Sequence, residues 1–221
     1  MAEADRLHSS TVWYAHHAVQ CAPRTFAEVS GAMATLDWAG RRAGLFGIWR
    51  SQIGRPRDEL NVITVGDSEV DAAVAADMMQ FLSGVRAVST QAMLATLRPA
   101  SPVPPRRQGN YAFRWFELPE AHWSEFLSLC EAAWPGFEAA YDSQVIGLWQ
   151  CAASDAGTRR ALLLTRRPDL AMWERSKIPS GEAEEAVRSQ LSRRYDLCDA
   201  TWVYTTTLLT AGDRADTARW T

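Results

Sequence analysis

The sequence repeats itself at a distance of 100 residues. The segment "GLFGIWRS" (44–51) aligns with "QVIGLWQC" (144–151), which places Gly47 on Gly147 and Trp49 on Trp149. Identities between the two halves are few, but the order of the expected strands and helices agrees throughout. A chain of 221 residues with such a repeat is expected to contain two copies of one structural unit.

A proline-rich stretch separates the two copies. The segment "RPASPVPPRRQGN" (98–110) contains four prolines and ends in Gly-Asn. Such a composition is unsuited to a helix interior or a central strand. It therefore predicts a linker at 99–110, between a first unit at 1–98 and a second unit at 111–221.

Each half shows the same succession of elements. An aromatic-rich strand, "TVWYAHHAV" or "YAFRWFEL", is followed by a helix, the Gly-x-Trp strand, a third strand, a second helical region and a closing strand. This β-α-β-β-α-β order is that of a ferredoxin-like unit, whose helices cover one face of an antiparallel sheet. Because the strands carry apolar residues on both faces, the other face must also be covered. The sequence thus predicts an α+β fold in which two tandem ferredoxin-like units pack into a pseudo-two-fold barrel, closed within a monomer and also compatible with a homodimer.

Composition and charge limit the partners of the chain. The net charge of −3 lacks the basic excess of a nucleic-acid binder. Arginine pairs at 41–42, 106–107, 159–160, 166–167 and 193–194 are interpreted as solvated faces. No segment approaches the roughly 20 apolar residues of a membrane span, and none resembles a signal peptide, so a cytoplasmic protein without a membrane partner is expected. The four cysteines are scattered, which favours reduced thiols and no zinc site.

The second half resembles a known family. The segment "YAFRWFELPEAHWSEFLSLCEAAWPGFEAAYDSQVIGLWQ", with "ALLLTRRPDLAMWERSK" after a turn, is similar to the NIPSNAP-like branch of the dimeric α+β barrel superfamily. Arg114 and Phe116 match the first-strand pattern of that family, and Gly147 and Trp149 match its Gly-x-Trp strand. The His-Leu-Trp that the family often carries on its third strand is absent at 163–165. The resemblance implies a barrel with an interior cavity, and relatives that include cofactor-free monooxygenases, haem enzymes, isomerases, lyases and proteins without known activity.

The first strands carry the candidate catalytic groups. If the strands align with those of the family, Tyr14 and His16 share a face with Arg114 and Phe116, and the resemblance implies that this face lines the barrel interior. His16 is the expected base, Arg114 the stabiliser of an anion or enolate, and Tyr14 a third catalytic group. A hydrogen-bonded interior histidine without chemistry is the alternative for His16.

The substrate-binding candidates are aromatic. Trp49 and Trp149 occupy equivalent places on the second strands, and Phe116 belongs to the same predicted interior face. Core packing would explain the two tryptophans equally well.

A serine hydrolase is a competing hypothesis. The segment "NVITVGDSEV" places a Gly-Asp-Ser between a strand and a helix, as one family of serine hydrolases does. A nucleophilic serine needs a base, usually histidine, and that family carries it near the C-terminus, whereas no histidine follows His122 here. Ser68 with Asp71 three residues later instead predicts a helix cap.

Haem and metal sites find little support in the sequence. An axial haem ligand would have to be His16, His17 or His122. His16 and His17 point to opposite faces of their strand, so they cannot chelate one metal together. No Walker, Rossmann, EF-hand or HExxH motif occurs, and we therefore expect no cofactor and no metal.

The sequence leaves two functions open. One is binding of a small, partly apolar organic molecule in the barrel interior, with cofactor-free oxidation, isomerisation or elimination as the reactions compatible with the family. The other is a non-catalytic interaction or scaffold protein whose barrel is filled with side chains.

Overall fold

The computed structural model describes residues 11–213. The first half contains β1 Trp13–Cys21, α1 Phe26–Ala34, a 3₁₀ turn Ala39–Arg41, β2 Ala43–Ile53, β3 Glu59–Gly66, α2 Glu69–Gln80 and β4 Val85–Ala95. The second half contains β5 Asn110–Pro119, a 3₁₀ turn Glu120–His122, α3 Trp123–Tyr141, β6 Gln144–Cys151, β7 Thr158–Arg167, α4 Leu170–Arg175, α5 Glu182–Asp196 and β8 Ala200–Leu208.

The eight strands of the described residues form one closed antiparallel barrel. Their order around the barrel is β1-β3-β2-β8-β5-β7-β6-β4. The two halves meet at two short seams, where β4 pairs with β6 over Met93–Ala95 and β2 pairs with β8 between Trp49 and Ile53. The predicted α+β architecture is confirmed, and a single chain supplies every strand of the barrel.

Aromatic side chains from both halves fill the barrel interior. Alternate residues of each strand point inward, and together they form one buried cluster. Its members are Tyr14, Phe46, Trp49, Ile63, Met93, Tyr111, Phe113, Trp115, Trp149, Cys151, Leu162, Leu164, Tyr204 and Leu208.

Helices cover the outer face of each half. On the first half, α1 and α2 bury an apolar stripe against the sheet, with Val29, Met33, Ala75 and Met79 fully buried. On the second half, α3 and α5 pack on each other and on the sheet. The molecule is therefore layered as helices, sheet, aromatic interior, sheet and helices, with two distinct apolar layers outside the barrel.

The Gly-x-Trp repeat places a tryptophan at each seam. Residues two apart on a strand share a face, so each indole lies over the glycine before it. A Cβ at Gly47 would lie 2.5 Å from the Trp49 ring, and one at Gly147 would lie 2.4 Å from the Trp149 ring. Trp49 pairs with Leu208 across one seam, and Trp149 pairs with Ala95 across the other.

Two irregular stretches interrupt the helices and strands. Residues 96–109 form neither helix nor strand. The second helical region of the second half is broken between α4 and α5, around the Pro-Ser-Gly at 179–181. Among residues 11–213, no helix is both long and apolar enough to cross a membrane.

Candidate functional site

His16 lies inside the barrel in a small polar cluster. Its Nε2 is 2.9 Å from Asn61 Oδ1, which also accepts a hydrogen bond from the Tyr204 hydroxyl at 2.8 Å. Because an amide oxygen only accepts, the proton of His16 is assigned to Nε2. The rings of Phe113 and Trp115 flank the imidazole at 5.7 and 5.3 Å. Burial lowers the pKa of His16 to about 4, so the ring is neutral at pH 7.

The other interior candidates are packed among aromatic rings. The ring of Tyr14 lies 5.5 Å from Trp149 and 5.7 Å from Phe46, and Trp49 packs 5.4 Å from Phe113. Burial raises the pKa of Tyr14 to about 12, which keeps its hydroxyl protonated. Trp49 and Trp149 are fully buried. The interior that the sequence predicts as a cavity is thus filled by these rings in the described structure.

The prediction that Arg114 and Phe116 share this interior with His16 is wrong. The Phe116 ring lies 5.0 Å from Phe126 of α3, on the helix side of the sheet. The Arg114 guanidinium donates a hydrogen bond to the hydroxyl of Tyr195 on α5. The structure therefore brings Tyr14, Trp49, Trp149 and His16 together inside the barrel, and it places Arg114 and Phe116 outside.

The error comes from the register of the first strands. Strand pairing makes His16 equivalent to Phe113, an offset of 97, although the second strands keep the offset of 100. The pairs that establish this are His16–Ile63 and Gly47–Ile63 in the first half, and Phe113–Leu164 and Gly147–Leu164 in the second. Because a strand alternates its faces with period 2, a slip of three residues exchanges inside and outside.

A cavity of about 240 Å³ lies on the outer face of the second half. It is enclosed by β5 and β7, by α3 and α5, and by the turn that follows α4. Its apolar walls include Trp134, Phe137, Val145, Leu163, Val187 and Leu191. This volume is smaller than the about 300–1,000 Å³ of sites for drug-sized ligands, which indicates a small ligand.

Two arginines from the sheet form the floor of the cavity. Arg114 extends from β5 to Tyr195, and Arg167 extends from β7. Nη1 of Arg167 donates to Thr165 Oγ1 at 3.1 Å, and its guanidinium lies 5.0 Å above the Phe137 ring. Arg167 is 7% exposed, and its Nε has no hydrogen-bond partner. Burial and the charge of Arg114 lower the pKa of Arg167 to about 10.

A third arginine lines the cavity from α5. Arg194 is 4% exposed, and its guanidinium stacks 4.8 Å above the Phe116 ring. Its Nη1 donates to Cys130 Sγ at 3.6 Å, while its Nε is buried without a partner. Aromatic contacts therefore fix the position of this charge without neutralising it.

Two more cations stand at the mouth of the cavity. Lys177 and Arg188 are both exposed, and the Lys177 ammonium lies 4.8 Å from the Trp173 ring. Partial burial, together with the charges of Arg114, Arg167 and Arg188, lowers the pKa of Lys177 to about 8. The positive charges of the arginines at the floor and at the mouth therefore both disfavour the protonated form of Lys177.

The positive charge of the cavity lining is not balanced by carboxylates in that lining. No aspartate or glutamate is among the residues that line the cavity. Glu184 approaches its edge, accepting from the Tyr141 hydroxyl at 3.3 Å. Both oxygens of Glu184 are held by Arg175 at 2.7 and 2.9 Å, and one also accepts from the Ser180 backbone N–H at 2.8 Å. The cavity consequently keeps an excess of positive charge.

The sequence analysis missed most of these residues. The interpretation of the arginine pairs as solvated faces is wrong for Arg166, Arg167 and Arg194, which are all buried. The pair at 166–167 could have revealed a buried arginine. Two consecutive residues of a strand point to opposite faces, so one of the two arginines must face the helices. For Lys177 no periodicity was available, since it lies in the turn after α4.

None of the histidines in residues 11–213 lines the cavity. His17 faces the helix layer of the first half, bonded to Thr64 and Thr90 at 2.8 Å each. His122 is exposed beside the carbonyl of Leu197. Within the described part of the chain, no three His, Cys, Asp or Glu side chains are grouped as metal ligands. The cavity lining thus offers cations and hydroxyls, which suit an anionic ligand, and no imidazole for an iron or zinc.

Comparisons with known proteins identify the fold. No protein-family model matches the sequence, and no curated protein matches it. An anthrone oxidase-like protein superposes with a TM-score of 0.60 at 10% identity, covering 96% of this chain and 97% of that one. A monooxygenase candidate from Lactobacillus acidophilus gives 0.54 at 11% identity, over 91% and 97% of the two chains. A variant of chlorite dismutase from Candidatus Nitrospira defluvii gives 0.59 at 10% identity, over 91% and 92%.

These structures share the dimeric α+β barrel fold with this chain. Identities this low show the fold alone. The narrower resemblance to NIPSNAP-like proteins stays a prediction.

Proposed function

We propose that this protein binds a small, partly apolar organic anion in the cavity between β5, β7, α3 and α5. The observation that carries the proposal is the set of five cationic side chains that line the cavity without a carboxylate among them. Buried charges are normally paired, because an unpaired charge is costly to remove from water. An anionic ligand would supply the missing partner, and the apolar walls would hold the remainder of the molecule.

The floor is suited to a carboxylate or a similar planar anion. Guanidinium groups present parallel N–H donors that match two carboxylate oxygens. Arg114 and Arg167 come from adjacent strands of a rigid barrel, so their separation is fixed before the ligand arrives. Such preorganisation reduces the entropic cost of binding.

Conversion of the ligand, without a tightly bound cofactor, is the second part of the proposal. Isomerisation and elimination that begin with removal of a proton next to a carbonyl develop negative charge on its oxygen, as does oxidation of such an enolate by dioxygen, and Arg114 is placed to stabilise that charge. The Tyr195 hydroxyl, which accepts a hydrogen bond from Arg114, is then the nearest proton-transfer group. His16 contacts the interior side of the sheet, so its predicted role as base would require a second site within the barrel.

A filled barrel favours a second candidate, a non-catalytic interaction or scaffold protein. Buried aromatic side chains from both halves occupy the interior, as the scaffold hypothesis expects. The two hypotheses differ in the outer cavity, which a scaffold protein would not need to keep open and positively charged.

We also propose that the chain consists of two ferredoxin-like units, 1–98 and 111–221, joined by the linker 99–110. The strand orders β4-β1-β3-β2 and β8-β5-β7-β6 support this division. Residues 1–10 and 214–221 of these units lie outside the described residues.

Calorimetry with matched anionic and neutral aromatics tests the binding proposal. Benzoate is expected to bind at least about tenfold more tightly than benzamide, and cinnamate more tightly than cinnamamide. Arg167→Gln should abolish this preference, whereas Arg86→Gln, an exposed charge on β4 of the other half, should not. Equal affinity for acids and amides, or no binding of either acid, would contradict the proposal and favour the scaffold alternative.

A further inference from the structure

The cations of the cavity fall into two groups by depth. Arg114 and Arg167 form the floor, where Arg167 is 7% exposed and carries an unpartnered Nε. Lys177 and Arg188 form the mouth and are exposed to solvent. We infer that the ligand of this cavity carries two anionic groups, one at each end of a rigid apolar body. This inference rests on the proposed function and specifies the class of ligand as a dianion.

One anionic group cannot serve both ends of the cavity. Along α5, Arg188 and Arg194 are six residues apart, which corresponds to about 9 Å of helix at 1.5 Å per residue. Leu191 lies midway between them on the same side of the helix and lines the cavity. A carboxylate held at the floor is therefore separated from the mouth by an apolar stretch of the wall.

The mouth has no acidic partner of its own within the described residues. Arg188 makes no ion pair or side-chain hydrogen bond there. Two acidic residues, Glu184 and Glu185, lie about one helical turn before it, and neither forms an ion pair with it. Glu184 is already bound by Arg175 and by the backbone of Ser180. Lys177 contacts the Trp173 ring and forms no ion pair with a carboxylate of the described residues.

The balance of charge also favours a dianion. Arg114, Arg167 and Arg194 contribute three charges in the inner part of the cavity, and the mouth contributes two more. A single carboxylate at the floor would leave Lys177 and Arg188 at the mouth without an anionic partner. A second anionic group near Lys177 and Arg188 would gain charge-assisted hydrogen bonds from both side chains.

Terephthalate and its monomethyl ester provide a matched pair of probes. Both have a planar apolar ring of equal length, and they differ by one negative charge at one end. Isothermal titration calorimetry should give at least about tenfold tighter binding for terephthalate. In the double variant Lys177→Gln/Arg188→Gln the affinities for terephthalate and for the monomethyl ester should differ by less than about twofold, because the charges that would bind the second carboxylate are gone. Arg86→Gln serves as the charge control and should preserve the advantage.

The outcomes separate the two levels of the proposal. Equal affinity for the dianion and the ester, or an advantage that survives in the double variant, overturns the inference and leaves the anion site intact. Failure of the dianion, the ester and benzoate to bind removes the proposed function itself. Circular dichroism and melting curves establish that each variant is folded, which is expected because Lys177, Arg188 and Arg86 are exposed.

Discussion

Gly147→Ala should destabilise the barrel through a contact with Trp149. The added Cβ would lie 2.4, 2.5 and 2.9 Å from three carbons of the outer indole ring. Carbon atoms in contact are normally separated by about 3.5–4.0 Å, so the ring would have to move by about 1 Å. Trp149 is fully buried and is flanked by Tyr14 at 5.5 Å and Phe46 at 6.0 Å, which leaves it little space to move.

The expected cost follows from this overlap. Overpacking a buried site costs about 1–3 kcal/mol, and the reduced freedom of the unfolded chain with alanine recovers part of that, about 0.4–1 kcal/mol. The free energy of unfolding should therefore fall by about 1–2 kcal/mol. For a chain of this size, the melting temperature should decrease by about 2–8 °C.

A double-mutant cycle isolates the contact. Urea unfolding of Gly147→Ala, Trp149→Phe and the double variant gives the coupling free energy, because the phenyl ring is too short to occupy the outer indole positions. The cost of the alanine should shrink by at least about 1 kcal/mol in the Trp149→Phe background. Gly31→Ala is the matched control, since no atom lies within 4 Å of its added Cβ, and this helical site should gain about 0.5–1 kcal/mol. Additive effects at 147 and 149 would refute the steric explanation of the Gly-x-Trp motif.

Three further predictions concern the cap, the buried histidines and the lysine at the mouth. Ser68→Ala should cost about 1 kcal/mol in urea unfolding, because it removes the hydrogen bond that the Ser68 hydroxyl donates to Asp71 at the start of α2, while the bond from the backbone N–H remains; an unchanged stability would mean that this hydroxyl is dispensable. Burial lowers the pKa of His16 to about 4 and that of His17 to about 3, so the unfolded state binds more protons below pH 6.5. Stability should fall from pH 6.5 toward pH 4, by up to about 1.4 kcal/mol per pH unit for each histidine, and His16→Gln should reduce that slope. The affinity for terephthalate should decline as the pH rises through about 8, where Lys177 loses its charge, and Lys177→Arg should keep that affinity constant across this range in calorimetry.

The elements that sequence reasoning predicted well are those encoded by local contacts. Gly147 and Trp149 are two residues apart and in direct contact. Their spacing alone therefore indicates a strand in which the indole packs over the glycine. The alternation of strand-like and helix-like segments is likewise a local signal. The α+β architecture could therefore be predicted from the sequence.

Which face of a strand points into the barrel could not be predicted in this way, because it depends on the register of strand pairing. The sequence around Arg114 does not indicate whether Arg114 or Phe113 points into the barrel, because both faces of β5 carry apolar residues. Only its pairing with β7 and β8 decides the question, and those strands are 50 to 90 residues away. The cavity combines Arg114 with Arg167 and Lys177, so no short segment could have revealed it.

Equivalent positions of the two halves carry different side chains, and this difference accounts for the location of the cavity in the second half. By strand pairing, His17 of β1 is the counterpart of Arg114, and Thr64 of β3 is the counterpart of Thr165. In the first half, His17 bonds to Thr64 and closes the polar layer beneath α2, whose small residues allow the helix to lie close to the sheet. In the second half, Arg114 takes the place of this histidine, and the helical region above it is divided into α4 and α5. The cavity of the second half thus coincides with two differences from the first half, a pair of long cations on the sheet and an interrupted helical region above them.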